Sequence, residues 1–362
     1  MENVYVCDYN KCNGCMACID KCPQKCIEII DNYNSFNALK NMEICINCNQ
    51  CLQVCPNITP VQKKTPFEWK QGWAECEIRK NASSGGAASA IIDHFIKTGG
   101  FVASCLFSEG KFIFAITNDL VYAKQFAGSK YIKSNPVGIF KKIQERLRTN
   151  KVLFIGLPCQ VAALRNYIKV QDNLFTIDLI CHGTPSPKYL EQYLKEKKID
   201  LHKVTDVKFR NSTRMGLSIN GKEIYPYGID DYMISFLDSL NYTENCYNCS
   251  YASFERVADV TLGDSWGSEL VDEEPNGISL ILVSSQKGKE LLDDISFNFK
   301  KVDIDKARGA NHQLNNPSKK SRKRQVFLKL YEFTHSFSSS VSIIYCVRVM
   351  KRNIKHLIMR LL

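Results

Sequence analysis

The sequence predicts an α/β protein, α+β overall, made of a small cysteine-rich domain, a larger mixed α/β domain and a basic helical tail. One cysteine motif occurs twice before residue 60, apolar strands alternate with amphipathic helices from residue 76, and basic residues are concentrated near the end of the chain. The expected segments are a first domain at 1–60, a linker at 61–75, the α/β domain at 76–315 and the tail at 316–362.

The first domain contains the motif C-x2-C-x2-C-x3-C-P twice, in "CNGCMACIDKCP" (12–23) and "CINCNQCLQVCP" (45–56). Three cysteines at this spacing bind one 4Fe-4S cluster, and the fourth binds the other cluster. The predicted ligands of the first cluster are Cys12, Cys15, Cys18 and Cys55. Those of the second cluster are Cys45, Cys48, Cys51 and Cys22. Zinc is the alternative, because it also binds thiolates at C-x2-C spacing, but two complete repeats that end in proline favour iron–sulfur clusters.

Two further cysteines of this domain, Cys7 and Cys26, lie outside the motif and are expected to be packed thiols. Over residues 1–60 the chain resembles the bacterial two-cluster ferredoxins. The resemblance implies a ferredoxin-like fold that carries electrons one at a time.

Residues 76–315 alternate between helical and strand patterns. Helices are predicted in "GGAASAIIDHFIKTG", "GIFKKIQERLR", "QVAALRNYI" and "PKYLEQYLKEKK". Strands are predicted in "GFVASCLF", "KVLFIG", "LFTIDLI", "ADVTLG" and "GISLILVSS". Continuous apolar strands separated by helices indicate a sheet with mostly parallel strands. In such sheets, ligands bind beyond the carboxyl ends of the strands.

Four thiols of this domain could meet at that edge, because two follow predicted strands and two form a C-x2-C pair. They are Cys159, Cys181, Cys246 and Cys249. Together they are a sufficient ligand set for a third iron–sulfur cluster, and the alternative is a redox-active dithiol with two bystanders. The remaining cysteines have no partner at metal-binding spacing and are expected to be packing residues: Cys76, Cys105 and Cys346.

Turns at the predicted helix and strand ends supply candidate cofactor contacts. In "NASSGG" a serine can cap the following helix, and the glycines let a phosphate approach its N-terminus. An ordinary capped helix is the alternative. The turns "GSK", "CHG" and "LGDSWG" add polar residues, and His182 among them is the one candidate for a catalytic group. The predicted contacts are Ser83, Ser84, Gly85, Gly86, Ser129, Lys130, His182, Gly183 and Asp264.

The net charge of +11 belongs to the tail, since residues 316–362 hold eleven Lys and Arg against Glu332 alone. A nearly neutral body argues against a nucleic-acid-binding protein. At the end of the tail, apolar residues recur at steps of three and four on one helical face. This face comprises Ile343, Val347, Met350, Ile354, Leu357 and Leu361. Basic residues flank it: Arg348, Lys351, Arg352, Lys355 and Arg360. Such a helix could bind an anionic membrane surface, and the alternative is a helix packed on the body or on a partner subunit.

The expected location is the cytoplasm, with the tail at the inner face of the membrane as a further option. The first residues lack the charged start and apolar run of a signal peptide, and seventeen cysteines fit a compartment that keeps thiols reduced. The longest apolar stretches are also too short to cross a bilayer.

At "IGLPCQVAALR", "IDLICHGTPSP" and "ADVTLGDSWG" the chain resembles the beta-subunit family of coenzyme F-420 hydrogenases and dehydrogenases. The resemblance covers roughly residues 76–325 and includes "SSGG" and "GSKY". It implies that this domain binds FAD and an iron–sulfur cluster and exchanges a hydride between the flavin and the deazaflavin coenzyme F-420. The implied cluster ligands are the four thiols described above, and the implied flavin contacts are Ser84, Gly85, Gly86 and Lys130.

The resulting hypothesis is an iron–sulfur flavoprotein oxidoreductase that passes electrons between 4Fe-4S clusters and FAD. Its hydride acceptor would be a deazaflavin or another small organic substrate, and relatives in the resembled family also suggest a role in cell-surface polysaccharide metabolism. Its electron partner would be a redox protein or ferredoxin chain. The alternatives are a non-catalytic electron-transfer subunit that serves a separate catalytic partner and a ferredoxin-dependent disulfide reductase.

Overall fold

The computed structural model describes residues 4–211 and 213–361, and within the last helix the side chains of residues 356, 357, 360 and 361 lie outside that description. The N-terminal domain has a three-stranded antiparallel sheet, in the order β1–β3–β2, and two short helices. Its elements are β1 Val4–Tyr5, α1 Ala17–Lys21, β2 Ile27–Asp31, β3 Phe36–Lys40 and α2 Gln50–Val54. Each helix lies inside one of the cysteine repeats.

The body contains an eight-stranded sheet and a separate three-stranded hairpin sheet. Its strands are β4 Glu68–Ala74, β5 Phe101–Ser108, β6 Lys111–Thr117, β7 Val152–Gly156, β8 Leu174–Leu179, β9 Val207–Asn211, β10 Arg214–Ile219, β11 Lys222–Glu223, β12 Val260–Asp264, β13 Ser279–Val283 and β14 Phe297–Lys300. Its helices, with those of the tail, are α3 Cys76–Lys80, α4 Ala87–Lys97, α5 Leu120–Ala123, α6 Ile139–Arg146, α7 Pro158–Tyr167, α8 Pro187–Glu196, α9 Asp231–Leu237, α10 Gln286–Glu290, α11 Ile304–Ala310, α12 Arg322–Thr334, α13 Phe337–Ile344 and α14 Cys346–Leu361.

The large sheet has the order β14–β4–β13–β12–β8–β7–β5–β6 and is parallel only over the four adjacent strands β12, β8, β7 and β5. The prediction of a mostly parallel sheet is therefore wrong for the outer strands, which pair antiparallel. The reason at one edge is local, since Glu109 and Gly110 both have positive φ and form a two-residue hairpin turn between β5 and β6. The carboxyl ends of the four parallel strands still share one edge, as expected.

The segment predicted as a linker contains β4, which lies between β14 and β13 in the sheet. The sequence "EWKQGWA" has no apolar run, and this explains why the hydrophobic pattern did not identify it as a strand. Gln71 at its centre is fully buried, and its side-chain oxygen accepts hydrogen bonds from the hydroxyls of Ser265 and Ser268. A polar network therefore supports this strand where an apolar alternation would be expected.

The N-terminal domain packs on the body through α1 and α2, which contact α7. One hydrophobic cluster includes Ala17 and Val54 from the first domain and Val161 and Leu164 from α7. The carboxylate of Asp20 accepts a hydrogen bond of 2.6 Å from the backbone N–H of Gly138, at the N-terminus of α6. Helix N-termini attract anionic groups in this way, so the first domain is fixed to the body by both apolar and polar contacts.

The first part of the predicted tail, at α12 and α13, contributes side chains to the hydrophobic core. Phe327 of α12 and Phe337 and Val341 of α13 are fully buried against α8 and α9. The residues after 316 are thus part of the body up to the end of α13, and α14 packs on its surface. Within the described residues, no helix has both the length and the apolar character needed to cross a bilayer.

Candidate functional site

The first group of thiols surrounds a small cavity in the N-terminal domain. The cavity is lined by the buried residues Cys12, Cys15, Cys18 and Cys55. Met16 has a left-handed backbone with φ 60° just before α1, and Cys55 immediately follows α2. The structure therefore brings the last cysteine of the second repeat to the first three of the first repeat, the crossed arrangement that the motif predicts. Burial and, after it, the neighbouring cysteines raise the pKa of Cys15 and Cys18, and a bound metal centre would oppose this rise by stabilising the thiolates.

Cys7 is a fifth thiol at this first group, although the sequence predicts only a packed residue. It lines the same cavity, and its hydrogen bonds with Cys12 and Cys55 raise its pKa. The Asn57 amide also lies 3.9 Å from its sulfur. A thiol that stays protonated can donate to ligating sulfurs and tune them. Motif spacing could not identify Cys7, because it approaches from the end of β1.

The second group of thiols lies near the surface. It comprises Cys22, Cys45, Cys48 and Cys51, of which Cys48 is exposed and the others are partly buried. Cys22 and Cys51 interact electrostatically, as the crossed ligand set requires. Cys26, predicted to be a packed thiol, is again an additional member, since its sulfur lies 3.3 Å from that of Cys22 and it also contacts Cys45.

The third group comprises Cys159, Cys181, Cys246 and Cys249, which the fold brings together at the carboxyl ends of β7 and β8. Cys181 interacts with the other three, and Cys159 interacts with both members of the C-x2-C pair. Burial is the main reason that the pKa of each of these two thiols is raised. Among the described residues, no set of three or more His, Cys, Asp and Glu side chains could hold a single metal ion.

Cys159 owes its position to the start of α7. Pro158 occupies the first turn, where its missing N–H costs nothing. The side-chain oxygen of Gln160 accepts a hydrogen bond of 2.9 Å from the backbone N–H of Leu157 and closes the turn. Cys159 also interacts electrostatically with Cys15, so the third group lies beside the first group.

Lys133 is a buried cation between the first and third groups. Its positive charge partly opposes the rise in the pKa of Cys159 that burial causes, and it adds to the lowering of the pKa of Cys12, which is due first to the hydrogen bond from Cys7. The ammonium group donates a hydrogen bond of 3.0 Å to the backbone oxygen of Asn13. Gly14 has a φ of 64°, and a Cβ there would lie only 2.8 Å from the Lys133 side chain. The glycine of the first repeat therefore makes room for the lysine, which sequence analysis did not identify.

A second kind of site adjoins the third group: a cavity of about 290 Å³ at the carboxyl edge of the sheet. Cys181 lines it, together with the N-terminus of α4 and the apolar side chains of Phe114 and Ile155. Of the predicted cofactor contacts, the following line this cavity: Ser83, Ser84, Gly86, Ser129, Lys130, His182, Gly183 and Asp264. Residues from distant parts of the sequence thus converge on one pocket, which is a common arrangement for small-molecule sites.

Gly85 is the exception among the predicted contacts. A Cβ at this position would lie 2.3 Å from the backbone oxygen of Gly72 and 2.5 Å from the backbone nitrogen of Ser279. Gly85 is therefore required for close packing against β4 and β13 and does not line the cavity, and its expected contact with a cofactor stays a prediction. The predicted serine cap is also wrong, because Gly86 is the N-cap of α4.

The polar side chains of "SSGG" and "GSK" hydrogen-bond to nearby backbone groups. Ser83 Oγ accepts a hydrogen bond of 2.7 Å from the backbone N–H of Ser129, and Ser84 Oγ donates to the backbone oxygen of Ile278. The Lys130 ammonium donates to the backbone oxygens of Phe126 and Ala127, at 2.7 and 2.8 Å, and burial lowers its pKa to about 8. These contacts shape the rim of the cavity, and those of Lys130 stabilise the loop to which it belongs.

Two side chains that sequence analysis did not identify also line this cavity, Arg210 of β9 and Cys105 of β5. Arg210 forms a buried ion pair of 2.7 Å with Asp264 and donates to the Tyr131 hydroxyl. Cys105 is expected from the sequence only to pack, and burial raises its pKa to about 11. Both come from strands without a recognisable motif, so only the fold brings them to the site.

His182 lies at the wall of the cavity next to Cys181. Its Nδ1 is 2.6 Å from the side-chain nitrogen of Gln313, and its ring meets Trp266 edge-on with 5.3 Å between ring centroids. Burial, with a smaller contribution from His312, lowers the pKa of His182 to about 4. The imidazole is therefore neutral near pH 7 and can donate or accept one hydrogen bond at its other nitrogen.

Comparison with known families agrees with this arrangement. Residues 11–58 match the family model of the 4Fe-4S dicluster domain, and residues 149–306 match the family model for the C terminus of the coenzyme F420 hydrogenase/dehydrogenase beta subunit. The first match favours iron–sulfur clusters over zinc for the two repeats. The second covers the four thiols of the third group.

Similar proteins are found in Methanocaldococcus jannaschii and Methanosarcina barkeri. An uncharacterized protein of Methanocaldococcus jannaschii is 23% identical over 60% of this chain and 72% of its own length. The F420-dependent formate dehydrogenase subunit beta of the same organism is 24% identical over 60% of this chain and 56% of its own length, so the chain spans about half of that relative. A chain of the F420-reducing [NiFe] hydrogenase complex from Methanosarcina barkeri superposes on 75% of this chain and 94% of its own, with a TM-score of 0.47 and 17% identity.

Proposed function

Because the chain belongs to the coenzyme F420 hydrogenase/dehydrogenase beta subunit family and has a 4Fe-4S dicluster domain at its N-terminus, we propose that it is an iron–sulfur flavoprotein oxidoreductase. It passes electrons between three 4Fe-4S clusters and FAD, and exchanges a hydride with a deazaflavin or another small organic substrate. The formate dehydrogenase relative is named for its dependence on F420, and F420 is the first candidate substrate here.

The observation that carries this proposal is the order of the thiol groups. The second group lies at the surface, the first is buried beside the third through Cys15 and Cys159, and Cys181 of the third lines the large cavity. Such an order suits single-electron steps from solvent-exposed to buried sites. A flavin in the cavity would supply the conversion between single electrons and a hydride.

The residues of the cavity fit a flavin with a phosphate-containing tail. The N-terminus of α4 opens into the cavity at Gly86, whose φ of 84° favours a residue without a side chain. Helix N-termini bind phosphates. Arg210 adds a cation that Asp264 holds in place at 2.7 Å. Phe114 and Ile155 provide apolar walls for a ring system. Neutral His182 contributes a hydrogen bond beside the third group.

Anaerobic purification followed by iron, sulfide and flavin quantification tests the proposal. We expect roughly twelve irons and one FAD per chain, since each cluster holds roughly four irons. Recovery of zinc as the only stoichiometric metal, or of iron without any flavin, would contradict it. About eight irons with a redox-active C-x2-C pair would instead favour the ferredoxin-dependent disulfide reductase.

Turnover by the isolated chain separates catalysis from electron transfer. The enzyme should reduce or oxidise coenzyme F-420 with an artificial one-electron carrier, in the absence of other proteins. Full cofactor content without turnover, restored by addition of a partner, would indicate a non-catalytic electron-transfer subunit. A role in cell-surface polysaccharide metabolism stays a prediction, tested by whether a sugar derivative supports turnover where coenzyme F-420 does not.

The second thiol group is the expected contact for a redox partner protein. Cys48 is exposed, and Ile44, Ile46 and Ile58 expose apolar side chains in the same part of the domain. The variant Ile46→Asn should slow reduction by a ferredoxin without changing reduction by dithionite, whereas Val170→Asn, at an exposed loop position of the body, should affect neither rate. Equal rates in both variants would place the contact elsewhere.

A further inference from the structure

Helix α14 turns an apolar stripe toward solvent. The stripe consists of Val347, Met350, Ile354 and Ile358, whose side chains are between 51% and 63% exposed. These residues follow one another at steps of three and four, so they form one row along the helix. A helix of this length is roughly 24 Å long. Predicted members of this face at Leu357 and Leu361 lie outside the described side chains, and Ile343 extends the exposed apolar surface into α13.

The opposite face of α14 fixes the helix to the body. Arg352, predicted to be a basic flank residue, is buried and donates a hydrogen bond of 2.6 Å to Asp231 and another to the backbone oxygen of Ile229. Its guanidinium also lies over the Tyr225 ring, and Val349 is buried one turn earlier. The buried ion pair fixes the orientation of α14 on the body. The apolar stripe on the opposite face is therefore exposed to solvent.

The charges beside the stripe are all positive. Arg348, Lys351 and Lys355 are exposed on one flank, as a helical projection of their positions requires. From Phe333 to the end of the chain the sequence contains no Asp or Glu. An apolar row with a basic flank is typical of helices that lie in the plane of a membrane interface.

We infer that α14 is a membrane-surface anchor that binds anionic lipid. The apolar stripe would enter the boundary between headgroups and acyl chains, while the basic flank meets lipid phosphates. Lipid is favoured over a protein partner because the stripe lacks the Trp, Tyr and Arg side chains that dominate protein–protein contacts. This inference does not depend on the proposed redox function, and its test does not measure electron transfer.

The test is co-sedimentation of the full chain with vesicles of phosphatidylglycerol or of phosphatidylcholine. The intact protein should bind the anionic vesicles at low salt and lose binding at high salt, because salt screens the attraction. One variant replaces the basic flank and should weaken binding by roughly 100-fold, from about 1 kcal/mol per basic residue: Arg348→Gln, Lys351→Gln and Lys355→Gln. A second replaces the stripe and should weaken binding at least roughly tenfold: Val347→Gln, Met350→Gln, Ile354→Gln and Ile358→Gln.

A matched control replaces exposed apolar residues elsewhere on the surface, Val121→Gln with Val170→Gln, and should bind as the intact protein does. All substitutions are at exposed positions, and unchanged thermal unfolding would verify that each variant folds. The inference is overturned if the intact protein ignores anionic vesicles, or if the control weakens binding as much as the stripe variant. It is also overturned if the stripe variant only converts a dimer into a monomer, since the stripe would then join two copies of this chain.

Discussion

The third thiol group rests on a buried ion pair, and breaking this pair is expected to remove one cluster selectively. Asp178 of β8 and Arg256 are both fully buried, with 2.9 Å between Oδ1 and Nη2. Asp178 Oδ1 also accepts a hydrogen bond of 2.6 Å from the Thr261 hydroxyl. Arg256 donates to the backbone oxygens of Tyr251 and Ser253 and so fixes the loop that follows Cys249.

The expected effect of Asp178→Asn follows from this geometry. Removing one partner of a buried pair leaves an uncompensated charge and typically costs about 3–5 kcal/mol in the free energy of unfolding. The backbone oxygens that remain around Arg256 offset part of this cost, so we expect about 3 kcal/mol. For a chain of this size that corresponds to a decrease of roughly 4 °C in the midpoint of thermal unfolding.

Thermal unfolding and iron analysis of the same preparations measure both parts of this prediction. Asp178→Asn should retain the roughly eight irons of the N-terminal domain and lose most of the roughly four irons of the third group. The control is Asp93→Asn, which breaks an exposed ion pair of 2.6 Å with Lys97 and should change stability by less than about 1 kcal/mol. If the two variants unfold at the same temperature with equal iron content, the ion pair does not support the third group.

Three further predictions concern single positions. Cys159→Ser should lose roughly four irons and keep the N-terminal clusters, while the exposed Cys76→Ser should keep all iron; equal iron in both would exclude Cys159 as a ligand. Lys133→Met should lower the midpoint potentials of the first and third clusters by on the order of tens of mV, because a buried cation stabilises the reduced, more negative cluster. An EPR-monitored titration measures these potentials, and unchanged values would contradict the electrostatic role of Lys133. Gly86→Val should reduce flavin content at least roughly tenfold with iron unchanged, because the φ of 84° and the contacts to Ala74 and Ile78 exclude a side chain. The control Gly99→Ala, with a φ of 87° in open space, should retain the flavin. Flavin loss in both variants would indicate a general folding defect.

Local sequence patterns predict those parts of the protein whose structure depends on short stretches of sequence. The two cysteine repeats specify their own turns, and strand ends that carry Cys159 and Cys181 are recognisable because buried parallel strands are continuous apolar runs. Once those strands are adjacent, their ends must share one edge of the sheet. For this reason the sequence could predict that the cysteines of the third group lie close together.

Other features depend on contacts between distant segments and leave no local pattern. Lys133 reaches the first group only because the N-terminal domain packs on the body, and Gly14 accepts its side chain. Gly85 looks like a phosphate-binding glycine in the sequence, yet its neighbours are strands β4 and β13. Arg352 has the spacing of a lipid-facing residue, but a buried Asp231 more than a hundred positions earlier holds it against the body.

The contact of Asp20 with the N-terminus of α6 has a consequence for the kinetics of electron transfer. Domains joined by flexible linkers must diffuse into position before their redox centres can exchange electrons, and such motion slows in viscous solvent. Here the shared hydrophobic cluster and the 2.6 Å hydrogen bond of Asp20 hold the first and third thiol groups at a fixed separation. Exchange between them should therefore be independent of solvent viscosity, and only the arrival of the external electron carrier at the surface should depend on it.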